Sequence, residues 1–364
     1  MAYKEARPLL HQPLPTASTT IASAQDLAAL VRDPNWMPSA YDVRRNALNF
    51  AYLDRQSRAE AVFLDGRFVR SARLSGYVSA TELPRDMIRE VSGPLHFIFH
   101  TAFCCSTLLT RALDQPGFSM GLKEPSVFAG FARPRASGRV ALGSIGALET
   151  TLNLLSRPLI GHETQVVKLN NVFTALIPQM MGLRPDAKAI LLYSPLENFL
   201  RAVTRRGPEG RVYARELYQA LSIVMPLDVS FTDEQLMLQT DMQIAAQAWL
   251  MQVACFRQLE LHYPHRVRTL SSDTLIADPA AALAKLCDFL AIDLDDEARA
   301  SIVNGPVFRE HAKKPGVAFD GAAYAQQRQS AEGYGVEIAR AVQWASKLAQ
   351  QTETPMTLGD TLVT

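Results

Sequence analysis

No stretch of this chain approaches the roughly 18 consecutive apolar residues that a membrane-spanning helix needs, so no span is expected. Cysteine is scarce: Cys104, Cys105, Cys255 and Cys287 are the only four in 364 residues. That is too few for a disulfide scaffold, and it points to a reducing, cytoplasmic setting. The seven histidines show no metal-ligand spacing, so no metal is expected. Net charge is also nearly absent. The chain carries 37 Lys and Arg against 36 Asp and Glu, a balance of +1, so no global field recruits nucleic acid or an anionic membrane. Any anion site must therefore be a local cluster. The opening MAYKEARPLLHQPLP lacks an apolar h-region, so no signal peptide is expected there. No internal repeat is visible.

What is present is material for a core. Apolar residues make up 48% of the chain and charged residues 20%, the balance of a folded enzyme-sized protein. Its organising stretch is PLHFIFHTAFCCSTLLTRALD, residues 94–114. The apolar run 95–100 reads as a buried strand. A small polar cluster follows, and then Leu108, Leu109, Ala112 and Leu113 repeat with the spacing of one helical face. Strand, tight polar turn and helix build an anion site, because the first-turn N–H groups and the helix dipole face the turn. Ser106 and Thr107 would add hydroxyls. A bland alternative is an ordinary strand-to-helix turn that Ser106 caps. G-x-x-x-x-G-K-[ST] is absent, since the turn has neither Gly nor Lys.

Along the rest of the chain, a helix is expected from Ser23 and a second across 41–52, with a hairpin around Asp65-Gly66 in 59–77. This first quarter, residues 1–92, reads as an arm and helical extension without chemistry of its own. Strands are expected at 118–122, 165–169, 187–193 and 266–270, alternating with helices at 148–155, 172–181, from Leu196 onward, 235–263, from Pro279 and 336–348. That alternation predicts an α/β domain over 93–350, a parallel sheet covered on both faces, with 351–364 as a tail. Ligands bind beyond the carboxyl ends of such strands. The residues after each strand, 101–107, Lys123-Glu124, 168–171 and Ser194, should converge on one cleft.

Four stretches in this order resemble the sulfotransferase family, enzymes that move a sulfuryl group from 3′-phosphoadenosine-5′-phosphosulfate (PAPS). FIFHTAFCCSTLLTRALD is similar to the family's 5′-phosphosulfate loop. VVKLNN is similar to the strand ending in a lysine beside the reacting centre. AILLYSPLENFLRAVTRR is similar to the segment that holds the 3′-phosphate, and TLSSDTLIADPAAALAKLCDFLAI to a later strand, D-P and helix. The resemblance implies a P-loop NTPase-like sulfotransferase fold, PAPS as co-substrate, no metal, and a small-molecule or other hydroxyl or amine acceptor. It places Thr101, Cys104, Cys105, Ser106 and Thr107 on the 5′-phosphosulfate. Ser194, Arg201, Lys313 and Lys314 fall on the 3′-phosphate, and Glu124, Lys168 and Asn170 at the chemistry. Acceptor loops are expected at 130–139 and 206–233.

The sequence also departs from that pattern. Phe103 stands where the loop usually has Lys or Arg, Cys105 where it has Gly, Tyr193 where an Arg is usual, and Arg201 where a Ser is usual. His100, Lys123 and Lys168 are candidates for the missing cation. Glu124 is the candidate base, since transfer to an alcohol needs a proton acceptor, and Asn170 is a positioning group. The plain alternatives are a solvated Lys-Glu pair before Pro125 and a snorkelling strand-end lysine. Two other enzyme classes stay open. Cys105 and Arg111 satisfy C-x5-R, the signature of a cysteine phosphatase, although no glycine lets the loop wrap. A nucleotide kinase would use the same fold. A non-catalytic relative that binds nucleotide or a partner is the fourth reading.

Overall fold

The computed structural model describes residues 24–69, 72–132, 142–223, 225–310, 312 and 333–363. Its centre is a five-stranded parallel sheet made of β4 (Leu95–His100), β5 (Ser119–Lys123), β6 (Thr164–Lys168), β7 (Ala189–Tyr193) and β8 (Val267–Ser271). The spatial order is β5-β6-β4-β7-β8, and every pairing is parallel. Strand side chains alternate between faces. Phe97, Phe99, Val167 and Leu191 join one apolar cluster, whereas Ile98, Val166, Ile190 and Leu192 join another on the opposite face. Helices Ser106–Ala112 and Pro279–Leu290 contribute to the second cluster. Helices Leu142–Leu155, Leu196–Arg205 and Asp241–His262 contribute to the first. Burial on both faces explains why the strands read as unbroken apolar runs instead of alternating ones.

The N-terminal quarter is not a helical extension. After the helix Ala24–Arg32 it forms an antiparallel sheet of β1 (Trp36–Asp42), β2 (Ala47–Tyr52) and β3 (Arg73–Ser79). The helix expected over 41–52 is a hairpin. Asp42 Oδ1 accepts from the backbone N–H of Arg44 at 2.9 Å and of Arg45 at 3.3 Å, and Asn46 turns the chain at φ 47. That local turn chemistry outweighs an apolar spacing that also fits a helix. The 59–77 hairpin is likewise absent: helices Arg55–Glu60 and Gly66–Val69 precede β3, which pairs with the distant β2. The small sheet shares the first apolar cluster with the large one, and Tyr41 stacks on Phe131 at 4.1 Å between centroids.

The single helix expected over 235–263 is two, Asp233–Leu238 and Asp241–His262. Each starts with a T-x-x-Q capping box, Thr232 with Gln235 and Thr240 with Gln243, and the second box restarts the chain. Residues 206–233 are mostly the helix Gly207–Ser222 instead of a loop. The C-terminal segment is docked: Thr361 Oγ1 accepts from the Thr269 N–H at 2.9 Å, and the Leu362 N–H bonds the Thr269 carbonyl at 3.1 Å. Among the described residues no helix is long and apolar enough to cross a membrane.

Candidate functional site

Strands β4, β5, β6 and β7 end side by side, so their following residues meet at one edge of the sheet. The turn after β4 is built on itself. Thr101, fully buried, accepts the Ser194 N–H on Oγ1 at 2.9 Å, which ties the ends of β4 and β7 together. Cys104 Sγ donates to the Thr101 carbonyl at 2.8 Å. Burial pushes the Cys104 thiol up to about 12, with Cys105 beside it adding to the rise, so it is no nucleophile. Phe103 (φ 59) and Cys105 (φ 62) both take left-handed backbone, and Cys105 is the N-cap of the helix Ser106–Ala112. Glycine would adopt this conformation without strain, and the surrounding contacts impose it on residues with a Cβ. Left-handed residues in a tight turn ahead of a helix are the backbone from which anion-binding N–H nests are built.

Lys168 lies at the end of β6, on the face covered by Ser106–Ala112, and is 1% exposed. Its Nζ is 3.5 Å from Thr107 Oγ1, ion-pairs Glu124 Oε1 through a short hydrogen bond, and stands 5.0 Å from the centre of the Phe63 ring. Asn170 Nδ2 donates to the other Glu124 oxygen, Oε2, at 2.7 Å. Glu124 itself follows β5 in left-handed conformation (φ 56), and its N–H bonds the Lys168 carbonyl at 2.9 Å. The three residues that carried the chemical expectation are therefore one hydrogen-bonded cluster, joined to the turn through Thr107. Both Glu124 oxygens hold a donor and keep a lone pair for a further proton.

Other expected residues lie elsewhere or serve the frame. Lys123 is on the same sheet face, but it donates to the Ala59 carbonyl at 2.8 Å and faces Asp114 at 3.7 Å. Burial depresses it to about 8 against the pull of Asp114, so it anchors the N-terminal quarter instead of supplying the turn with charge. The His100 ring faces the Thr101 carbonyl at 2.8 Å, beside the turn's own backbone. Ser194 is fully buried, and its carbonyl accepts from Trp249 Nε1 at 2.8 Å. Arg201 pairs with Glu197 one helical turn back. Tyr193 is turned away, donating to the Leu358 carbonyl. Lys313 and Lys314 fall outside the described residues. Cys105 and Arg111 are not brought together as a phosphatase requires, because Arg111 is on the last turn of its helix and reaches toward the Ala312 carbonyl at 3.5 Å.

No family model matches this chain, and no curated protein does either. Among solved structures it is similar to the sulfotransferase domain from the curacin biosynthetic pathway, at 12% identity and TM-score 0.40 over 73% of this chain and 99% of that one. It is also similar to the sulfotransferase domain of the Synechococcus PCC 7002 olefin synthase, at 15% identity and TM-score 0.41 over 71% and 95%. A third is retinol dehydratase in complex with retinol and PAP, at 13% identity and TM-score 0.39 over 74% and 85%. No residue role passes to this chain from likenesses this distant.

Sequence reasoning missed three contributors to the edge. Phe63, from the quarter read as chemically silent, sits against Lys168; the Leu64 N–H bonds the Lys123 carbonyl at 2.6 Å and fixes it there. Tyr213 donates to Asn171 Oδ1 at 3.0 Å, and burial raises its phenol well above the ordinary range. Arg206 lies over the Phe103 ring at 4.6 Å. Arg206 and Tyr213 fall within the 206–233 span expected to line the acceptor, but nothing local singles out any of the three, since each is brought in by packing between distant segments.

Proposed function

We propose that the chain is a divergent PAPS-dependent sulfotransferase, acting on a hydroxyl or amine of a small molecule or other acceptor. The observation that carries this reading is the cluster of Lys168, Glu124 and Asn170 at the sheet edge, joined through Thr107 to a turn with left-handed backbone at residues 103 and 105. Sulfuryl transfer asks for three things: a cradle for an anion, a cation beside the group in motion, and a proton acceptor for the incoming hydroxyl. These residues offer one of each.

The fit to PAPS rests on the left-handed turn ahead of the helix and on the lysine beside it. When bound, PAPS supplies an activated sulfate. In this reading the backbone of 101–107 and the hydroxyls of Ser106 and Thr107 hold the 5′-phosphosulfate. Thr101, whose hydroxyl is taken by the Ser194 N–H, and Cys104, whose thiol is spent inside the turn, contribute only main chain. Lys168 is placed to stabilise negative charge on the transferring group. Glu124 takes the acceptor proton, and Asn170 keeps that carboxylate aimed. Ser194, Arg201, Lys313 and Lys314 remain the proposed 3′-phosphate group, Ser194 through its position at the end of β7. A domain running from residue 93 to about 350 and a cytoplasmic setting belong to the same proposal.

Thermal shift tests it without knowledge of the acceptor. 3′-Phosphoadenosine 5′-phosphate (PAP) should raise the melting temperature far more than ADP or ATP with Mg²⁺. A larger shift with ATP and Mg²⁺ would replace the reading with a kinase, and no shift with any nucleotide would favour a non-catalytic relative.

A further inference from the structure

Between residues 100 and 107 the chain carries no lysine or arginine, yet a doubly anionic phosphosulfate held there needs a counter-charge. Lys168 serves one side, already shared with Glu124. Arg206 also stands at the turn, at the corner between the helices Leu196–Arg205 and Gly207–Ser222. The corner exists because Gly207 takes φ 58, and it presents Arg206 to solvent. The guanidinium carbon lies 4.6 Å from the centre of the Phe103 ring. Phe103 is itself in the turn, and its ring is fixed by Phe199 at 5.7 Å and Tyr213 at 5.5 Å.

Arginines nearby are committed to carboxylates: Arg201 to Glu197, Arg211 to Asp241 and Glu337, and Arg215 to Asp241. Arg206 makes no ion pair among the described residues; its guanidinium lies on an aromatic face. A guanidinium lying on a ring is held by cation–π attraction and keeps its N–H groups for an anion. Such a stack fixes the position of the charge without neutralising it.

We propose that Arg206 is the cation of this turn, supplied from a distant corner of the chain, and that Phe103 is the platform that positions it on the 5′ end of the donor. The inference rests on the sulfotransferase reading above. It assigns Phe103, the side chain that most departs from expectation in the turn, a purpose: it holds a charge in place of being one.

Calorimetric titration with two probes tests it. PAP carries a 5′-phosphate, and adenosine 3′-monophosphate lacks one. Arg206→Gln should weaken PAP binding by about 10- to 100-fold, the worth of one hydrogen bond to a charged group, and leave the 3′-monophosphate unchanged. Raising the salt concentration should narrow the difference between wild type and variant. Phe103→Leu keeps the arginine but removes its platform, and should weaken PAP binding by a smaller factor with the same probe selectivity. Undiminished PAP binding in Arg206→Gln overturns the proposal. Equal losses for both probes do so too, because Arg206 would then act on the 3′ end or on the fold. Absence of PAP binding by the wild-type chain refutes the donor reading itself, a distinct result.

Discussion

His96 offers a sharp test of how this sheet is held, because both of its ring nitrogens are used. Nδ1 accepts the Lys188 N–H at 3.1 Å, and Nε2 donates to the Leu290 carbonyl at 2.9 Å, linking β4 to β7 and to the end of the helix Pro279–Leu290. A neutral ring satisfies both bonds, whereas a protonated ring has no acceptor for Lys188. Burial accordingly lowers the folded-state value from 6.5 to about 4, with Lys188 and Arg184 lowering it, and the Leu290 carbonyl and Asp186 raising it. The folded value lies below the unfolded one, so between the two the unfolded chain binds the extra proton. This contribution to stability is complete above pH 6.5 and is lost as the pH falls toward 4. Integrated from about pH 7 to about pH 5, the loss is about 2 kcal/mol. Urea denaturation of wild type and His96→Gln at both pH values isolates it. Glutamine does not titrate, so the wild type's advantage should shrink by that amount on acidification. An advantage independent of pH would refute the argument.

Lys168→Ala should lower kcat by about 100-fold or more while PAP affinity changes little; lost affinity with kcat intact would move Lys168 into the donor pocket. Glu124→Gln should cut turnover and spare PAP binding, and near-full turnover across pH would mean that the base lies elsewhere. Cys105→Ser should be tolerated in sulfuryl transfer, and phosphatase activity abolished selectively in that variant would restore the C-x5-R reading. Gly121→Ala would drive a methyl into Thr110, whose Cγ2 would be 2.8 Å away and whose carbonyl would be closer still. The turn-bearing helix must then shift off β5, and a cost of about 1–3 kcal/mol is expected in a thermal melt.

The strand-turn-helix of residues 95–112 was readable because its information is local. Leu95–His100 is apolar on both faces, the small polar residues after it cannot extend a strand, and Leu108, Leu109 and Ala112 share one helical side. The later strands and the Asp278–Pro279 helix start were legible for the same reason, the latter through an N-cap whose carboxylate accepts the Ala281 N–H at 2.9 Å. Adjacency of Glu124, Lys168 and Asn170 follows from the rule that residues after parallel strands meet at one edge. What the sequence by itself determined, then, was the set of elements and the edge on which polar residues gather.

Only the tertiary structure decided how each side chain there is spent. Lys123 and Lys168 are paired across β5 and β6 and look alike in sequence, but one meets Asp114 and the other Glu124. That division depends on which carboxylate packing brings within reach, and no local pattern encodes it. The N-terminal sheet was missed because β2 finds its second partner, β3, across two intervening helices. Phe63 reaches Lys168, and Arg206 reaches the turn, through contacts between segments far apart in the chain, each about a hundred residues from its partner. Contacts of that kind are fixed by burial and shape complementarity summed over the whole core, and so they appear only once the chain is folded.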